Sequence, residues 1–196
     1  SLCKLVAPEK WNSNDKNRRT AFRLGAPLAI AQVMCLYIHI PEIQRDGCFA
    51  LSGLSLCRYD ADDVSAGQTI LGTGGLECCL RALQRHAEWA TVQAAGCCLI
   101  HNLCSSSNPT SANVRKAVFI EGGLLAVLRA MDHHQQHGRV QNIACRAMHS
   151  LLLLSLQKDE EDGPASLPWI RAFVDSRGIE IVLAAMSNHA HNAEIQ

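Results

Sequence analysis

Apolar and polar positions follow a helical rhythm along this chain, and one block of that rhythm is written three times. Ile43-Gln44-Arg45-Asp46-Gly47-Cys48, Val92-Gln93-Ala94-Ala95-Gly96-Cys97 and Val140-Gln141-Asn142-Ile143-Ala144-Cys145 step along the chain by 49 and 48 residues. Eight residues after each opening Ile or Val stand Leu51, Ile100 and Met148, and eleven after stand Leu54, Leu103 and Leu151. At about 100° per residue these positions share one side of a helix, which is therefore a buried stripe. Gly47, Gly96 and Ala144 hold one place on that stripe. A glycine inside a helix costs about 1 kcal/mol against alanine, so the pattern predicts that a neighbouring helix crosses closely there. A period of this size is how a stack of α-helical units looks in sequence.

A second block recurs upstream: Gly25-Ala26-Pro27-Leu28 running to Met34, Gly74-Gly75-Leu76 to Leu83, Gly122-Gly123-Leu124 to Met131, and Arg177-Gly178-Ile179 to Met186. Each predicts a helix that starts just after a glycine turn. Before each turn lies a short amphipathic piece, Arg19-Thr20-Ala21-Phe22, Gln68-Thr69-Ile70-Leu71, Lys116-Ala117-Val118-Phe119 and Arg171-Ala172-Phe173-Val174. A polar head followed by a small and two apolar residues suits a brief helix that plugs the core between units. Each unit thus has three helices.

A short first helix, a glycine turn and a third helix of the form V-Q-x-x-G/A-C followed by Leu resemble the armadillo repeat, most closely from about Gln68 to Leu154. Phe119-Ile120-Glu121-Gly122-Gly123-Leu124-Leu125-Ala126-Val127-Leu128 followed by Val140-Gln141 is similar to that family's consensus. The resemblance implies an all-α fold, a right-handed α-α superhelix (an armadillo-like solenoid) with three full repeats and partial repeats at both ends. The expected organisation is one solenoid over 1–196, with approximate repeats at 15–60, 61–110 and 111–160 and a truncated one at 168–196. Units of this family run to about 42 residues. The steps here are 49, 48 and, from glycine turn to glycine turn at the end, 55. The surplus is expected in loops between units, from Arg58 to Gly67, Ser105 to Asn113 and Gln157 to Pro168. Two-helix arrays of the HEAT type are the structural alternative, and would lack the separate first helix.

Ser1-Leu2-Cys3 resembles Asn102-Leu103-Cys104, the end of a third helix, and Glu194-Ile195-Gln196 resembles the start of another. The chain accordingly reads as an excerpt of a longer array. Stacked units require polar caps at their termini, and neither margin has one, so Asn192 to Gln196 are expected to fray or to be held by a partner.

Composition narrows the function. The 18 basic and 18 acidic residues cancel, which argues against a general nucleic-acid binder, since such proteins carry a basic excess. The longest apolar run, Leu151 to Leu156, falls far short of the roughly 20 residues a membrane span requires. Ten cysteines raise the question of disulfides or zinc. Cys48, Cys97 and Cys145 occupy equivalent places on successive third helices, whose axes should lie about 8 to 10 Å apart. A disulfide needs Cα atoms within about 7 Å, so a ladder of bonds is not expected. Cys78-Cys79 and Cys97-Cys98 lie mid-helix, where cysteine acts as a small apolar residue. This usage suits a reducing compartment, cytoplasmic or nuclear.

Some constellations have metal-ligand spacing. Cys97, His101 and Cys104 share one flank of a helix, which permits a metal site, while the unit stacking accounts for the same flank as packing. His133, His134 and His137, with Asp132 beside them, suit either adventitious metal or a solvated turn. No residue pattern points to a thiol hydrolase, a phosphate loop or a carboxylate pair. Asp159-Glu160-Glu161-Asp162-Gly163-Pro164 is an acidic turn that is solvated or meets a basic partner. Ser105-Ser106-Ser107-Asn108-Pro109-Thr110-Ser111 suits a flexible insertion or a phosphorylation site. The expected chemistry has no catalytic residue, no metal and no cofactor.

In armadillo proteins the third helices line a concave groove that holds an extended peptide or a partner helix. The resemblance implies the same here, on the face opposite the buried stripe. That face carries Arg45, Phe49 and Ser52 on the first third helix, Cys98, His101 and Asn102 on the next, and Asn142, Arg146, His149 and Ser150 on the last. Importin-α-like members place tryptophan and asparagine four apart on this face. The pairs here are Phe49 and Gly53, Cys98 and Asn102, and Arg146 and Ser150; only Asn102 fits, which points away from nuclear-signal recognition. Arg45 and Arg146 match in part the basic groove by which β-catenin-like members hold acidic peptides. His101 and His149 are equivalent positions and would make binding sensitive to pH near about 6 to 7. The function expected is a noncatalytic interaction scaffold for a protein or peptide partner. The alternative is a regulatory segment of a larger protein such as a kinase or ubiquitin ligase, with the armadillo units of leucine-rich-repeat kinases as similar long, irregular repeats.

Overall fold

The computed structural model of the chain describes residues 11–57, 65–105, 111–152, 167–193 and 195. Among these the fold is all-α, with eleven helices and no strand. They fall into successive groups: α1 (Trp11–Arg23), α2 (Ala26–Leu36) and α3 (Pro41–Ser55); α4 (Ala66–Gly72), α5 (Gly75–Arg85) and α6 (Ala90–Cys104); α7 (Ser111–Ile120), α8 (Gly123–His133) and α9 (Gly138–Leu152); and α10 (Leu167–Asp175) with α11 (Gly178–Asn188). The separate first helix is present each time, though α1 is longer than the brief piece its pattern suggests. The margins at 1–10, the acidic turn at 159–164 and most of the three inter-unit insertions lie outside the described residues.

The glycine turns work through two adjacent positions. Gly25, Gly74 and Gly122 have φ of 80°, 78° and 93°. That left-handed region costs an L-residue roughly 1–2 kcal/mol, so glycine is the economical choice. Arg177 takes the same place in the last group at φ 59°. After Gly74, Gly122 and Arg177 the next residue is glycine for a different reason, whereas Ala26 follows Gly25: a Cβ on Gly123 would stand 2.5 Å from Val118 Cγ1, and one on Gly75 2.8 Å from Ile70 Cγ2. The short helix is pressed against the start of the second.

Third helices form one layer, α3 against α6 and α6 against α9, while α2, α5, α8 and α11 stack in a second layer beside it. The repeated apolar positions lie between the layers. Val92 and Val140 are both wholly buried, as are Leu51, Ile100, Leu54, Leu103 and Leu151 or nearly so. Ile70 of α4 and Val118 of α7 fill the space between groups and are wholly buried, the plug that their pattern predicts. The close crossing occurs within a group: a Cβ on Gly47 would meet Met34 Cγ of α2 at 2.5 Å, and one on Gly96 would meet Leu83 Cδ2 of α5 at 2.5 Å.

The recurring Gln after Ile or Val has a role that periodicity does not reveal. Gln93 is buried, and its Nε2 donates to the Leu83 and His86 carbonyls at 2.9 Å each. Gln44 donates in the same way to Met34 O and Tyr37 O, and Gln141 to Met131 O and His134 O. Each glutamine satisfies carbonyls left over at the end of the second helix, where the α-helical ladder has run out of donors. That fixes the angle between the second and third helices.

At the end where fraying was expected, residues 194 and 196 lie outside the described residues, while Ile195 is 5% exposed and its N–H donates to Asn192 O at 3.0 Å. His133 and His137 of the α8–α9 turn are exposed, as a solvated turn requires, and the turn is also bonded to the preceding group. His134 Nε2 donates to Ala87 O at 2.7 Å in the preceding group's turn, and His133 pairs with Glu88 at 2.9 Å. His86 with Ile38 O at 2.8 Å and His189 with Gln135 O at 2.9 Å make the same bond, so one histidine per junction ties each group to the last.

Candidate partner-binding groove

Where α3, α6 and α9 lie side by side they leave an open cavity of about 350 Å³. Phe49 of α3, Cys98 of α6 and Asn142 of α9 all line it, one residue from each of three successive third helices. The spacing of the wheel places them there: on each helix they sit opposite residues of the buried stripe. Arg139 and Ile143 join from α9, and Asn192 closes one end. The Arg139 guanidinium lies 5.8 Å from the Phe49 ring centroid, within reach of a cation–π contact. Arg139 is the one formally charged residue among those lining the cavity.

The other expected groove residues are used differently. Ser52 and Ser150 are 3% and 2% exposed, so they do not face an open groove. They belong to the seams between third helices, shielded by the neighbouring helix, which a single helical wheel does not show. Across the α3–α6 seam, Asn102 Nδ2 donates to Ser52 Oγ at 2.7 Å, and Cys98 Sγ lies 3.3 Å from the same oxygen. Across the α6–α9 seam, His101 Nδ1 lies 2.8 Å from Ser150 Oγ and 3.2 Å from Arg146 O. Ser150 Oγ donates to Arg146 O at 3.0 Å, which assigns the proton on Nδ1 to His101 and leaves Nε2 to accept from Arg146 Nη2 at 3.4 Å. Arg45 pairs with its neighbour Asp46 at 2.8 Å, and His149 is exposed on α9.

Burial and the Arg146 charge lower the His101 pKa, in that order of importance. The imidazole is therefore held neutral, as its hydrogen bonds require. Desolvation pushes the Cys97 and Cys104 thiols up to about 12, so both remain protonated at neutral pH. With His101 turned toward Ser150, the Cys97, His101 and Cys104 spacing is a packing pattern. Among the described residues no three His, Cys, Asp or Glu side chains converge as a metal site. Among them, too, no helix is long and apolar enough to cross a membrane.

Arg139 is the charged lining residue that the helical wheel missed, and Gly138, Ile143 and Asn192 were missed with it. It stands three before Asn142 and seven before Arg146, so carrying the same stripe one turn toward the start of α9 would have found it. No family model, curated protein or solved structure matches the chain.

Proposed function

We propose that this chain is an armadillo-like solenoid, a right-handed superhelix of three-helix units, that acts as a noncatalytic scaffold and holds an extended acidic segment of a partner protein across α3, α6 and α9. What carries the reading is the cavity shared by Phe49, Cys98 and Asn142, with Arg139 over the phenyl ring. An aromatic floor suits an apolar side chain, a guanidinium suits a carboxylate, and a carboxamide suits the backbone of an extended strand. The Asn102–Ser52 and His101–Ser150 bonds support it indirectly, since they hold the three helices in register and so fix the spacing of the cavity's lining.

Selection from a displayed library of short random peptides tests the proposal. The native chain should enrich peptides carrying Asp or Glu beside an apolar residue. A Phe49→Glu, Arg139→Glu bait should bind them at least about tenfold more weakly, which is about 1.4 kcal/mol. Equal binding by both baits would remove the groove as the site.

A further inference from the structure

α2 and α5 bring two thiols together at the first junction between groups. Cys35 lies in the last turn of α2 and is the one exposed cysteine among the described residues. Cys78 lies in the first turn of α5 and is buried. Their sulfurs are 3.1 Å apart. Cys78 donates its S–H to Ala31 O at 3.5 Å, which leaves its sulfur lone pairs toward Cys35. A disulfide requires roughly 2.05 Å between sulfurs, so bond formation calls for a closure of about one ångström.

Stacking alone does not explain the pair. The position of Cys35 recurs as Gln84 in the next group and that of Cys78 as Ala126, and Gln84 and Ala126 line one cavity of about 250 Å³ at the second junction. The fold brings these two positions together at the first and second junctions, and of these two only the first has sulfur at each. The other thiols gathered in the core, Cys48, Cys79 and Cys97, are wholly buried and out of reach of a solvent oxidant.

We propose that Cys35 and Cys78 form an oxidisable dithiol site that closes into a disulfide by exchange with a low-molecular-weight disulfide such as oxidised glutathione. The Cys35 thiolate attacks one sulfur of the glutathione disulfide, forming a Cys35–glutathione bond and releasing one glutathione thiolate. Cys78 then gives up its proton as its sulfur attacks Cys35 Sγ. The Cys35–Cys78 bond forms and the second glutathione thiolate leaves. Two cysteine thiols are oxidised and one glutathione disulfide is reduced to two thiols. Burial above all holds the Cys78 thiol at about 12, so the exposed Cys35 is the sulfur that opens the exchange. The product clamps α2 to α5 and fixes the first junction covalently.

The 196-residue chain, reduced and then incubated with oxidised glutathione, is quenched in acid, alkylated after unfolding and digested for mass spectrometry. The expected product joins the peptides containing Cys35 and Cys78, two hydrogen atoms lighter than the reduced pair. It should melt at least about 5 °C above the reduced chain, because the bond closes a long loop. Cys35→Ser should abolish the link. Cys78→Ala places the residue found at Ala29 and Ala126 in the equivalent positions, so it should fold and retain glutathione on Cys35 as a stable mixed disulfide. A persistent Cys35–glutathione adduct on the native chain, a link between other cysteines in its place, or a lower melting temperature after oxidation would each overturn the proposal.

Discussion

The α3–α6 and α6–α9 seams place the same positions against each other and join them with different chemistry. Position 52 of α3 and its equivalent, 101 of α6, each meet the residue at 102 of α6 or its equivalent, 150 of α9. The first pairing is Ser52 with Asn102, and no histidine or carboxylate takes part. The second is His101 with Ser150, joined by Arg146, and its network requires a neutral imidazole. A periodic backbone fixes which positions meet, and the residues there then decide how each junction responds to its surroundings. One seam is blind to mild acid and the other is not.

The largest effect should come from Gln93, because α6 belongs to both seams. Gln93→Ala leaves the buried Leu83 and His86 carbonyls without their donor and should cost about 2–4 kcal/mol in urea unfolding. Gln44→Ala should cost less, because Gln44 Oε1 is already buried without a partner among the described residues. Equal losses would show that the two junctions do not differ in this way.

A smaller contrast lies in the glycines. Gly96→Ala drives a methyl into branched Leu83 and should lose about 1–2 kcal/mol even after its gain in helix propensity. Gly47→Ala meets the unbranched, adaptable Met34 and should cost less, as expected of a position where Ala144 is the equivalent residue. Thermal melts of the two variants compare them directly.

Acid should separate the seams next. The His101 pKa is lowered in the folded chain, so its neutral form contributes stability that is complete above the unfolded value of about 6.5. That contribution declines as pH falls through the lowered folded pKa. Protonation sets a second positive N–H against Arg146 and loosens α9 from α6. The loss should not exceed about 1 kcal/mol, given the solvent at Arg146. Stability curves of the native chain and His101→Asn should therefore diverge only below neutrality. Smallest of all, Ser52→Ala should cost about 0.5–1 kcal/mol at every pH, whereas the cost of Ser150→Ala should shrink as pH falls.

The sequence made the apolar stripes, the glycine turns and the three-helix order legible because each depends on local periodicity or on a backbone requirement such as the positive φ at Gly74. It also placed Phe49, Cys98 and Asn142 on one face. Ser52 and Ser150 were misplaced because a wheel drawn for one helix shows its faces but not the flank that the next helix covers. The histidine tie had a signal that composition obscured: His86, His134 and His189 step by 48 and 55, as the units do. Cys35 and Cys78 left no such trace, since they are 43 apart and occupy different positions of neighbouring groups.

Cys98 allows the most direct test of the groove, because its thiol lines the cavity while Cys35 lies outside it. With the reduced chain saturated by a selected acidic peptide, the rate of alkylation at each cysteine can be read by mass spectrometry. Alkylation of Cys98 should slow at least about tenfold, as expected of a side chain covered by ligand, and that of Cys35 should not change. A bound peptide that left the Cys98 rate unaltered would contradict the account.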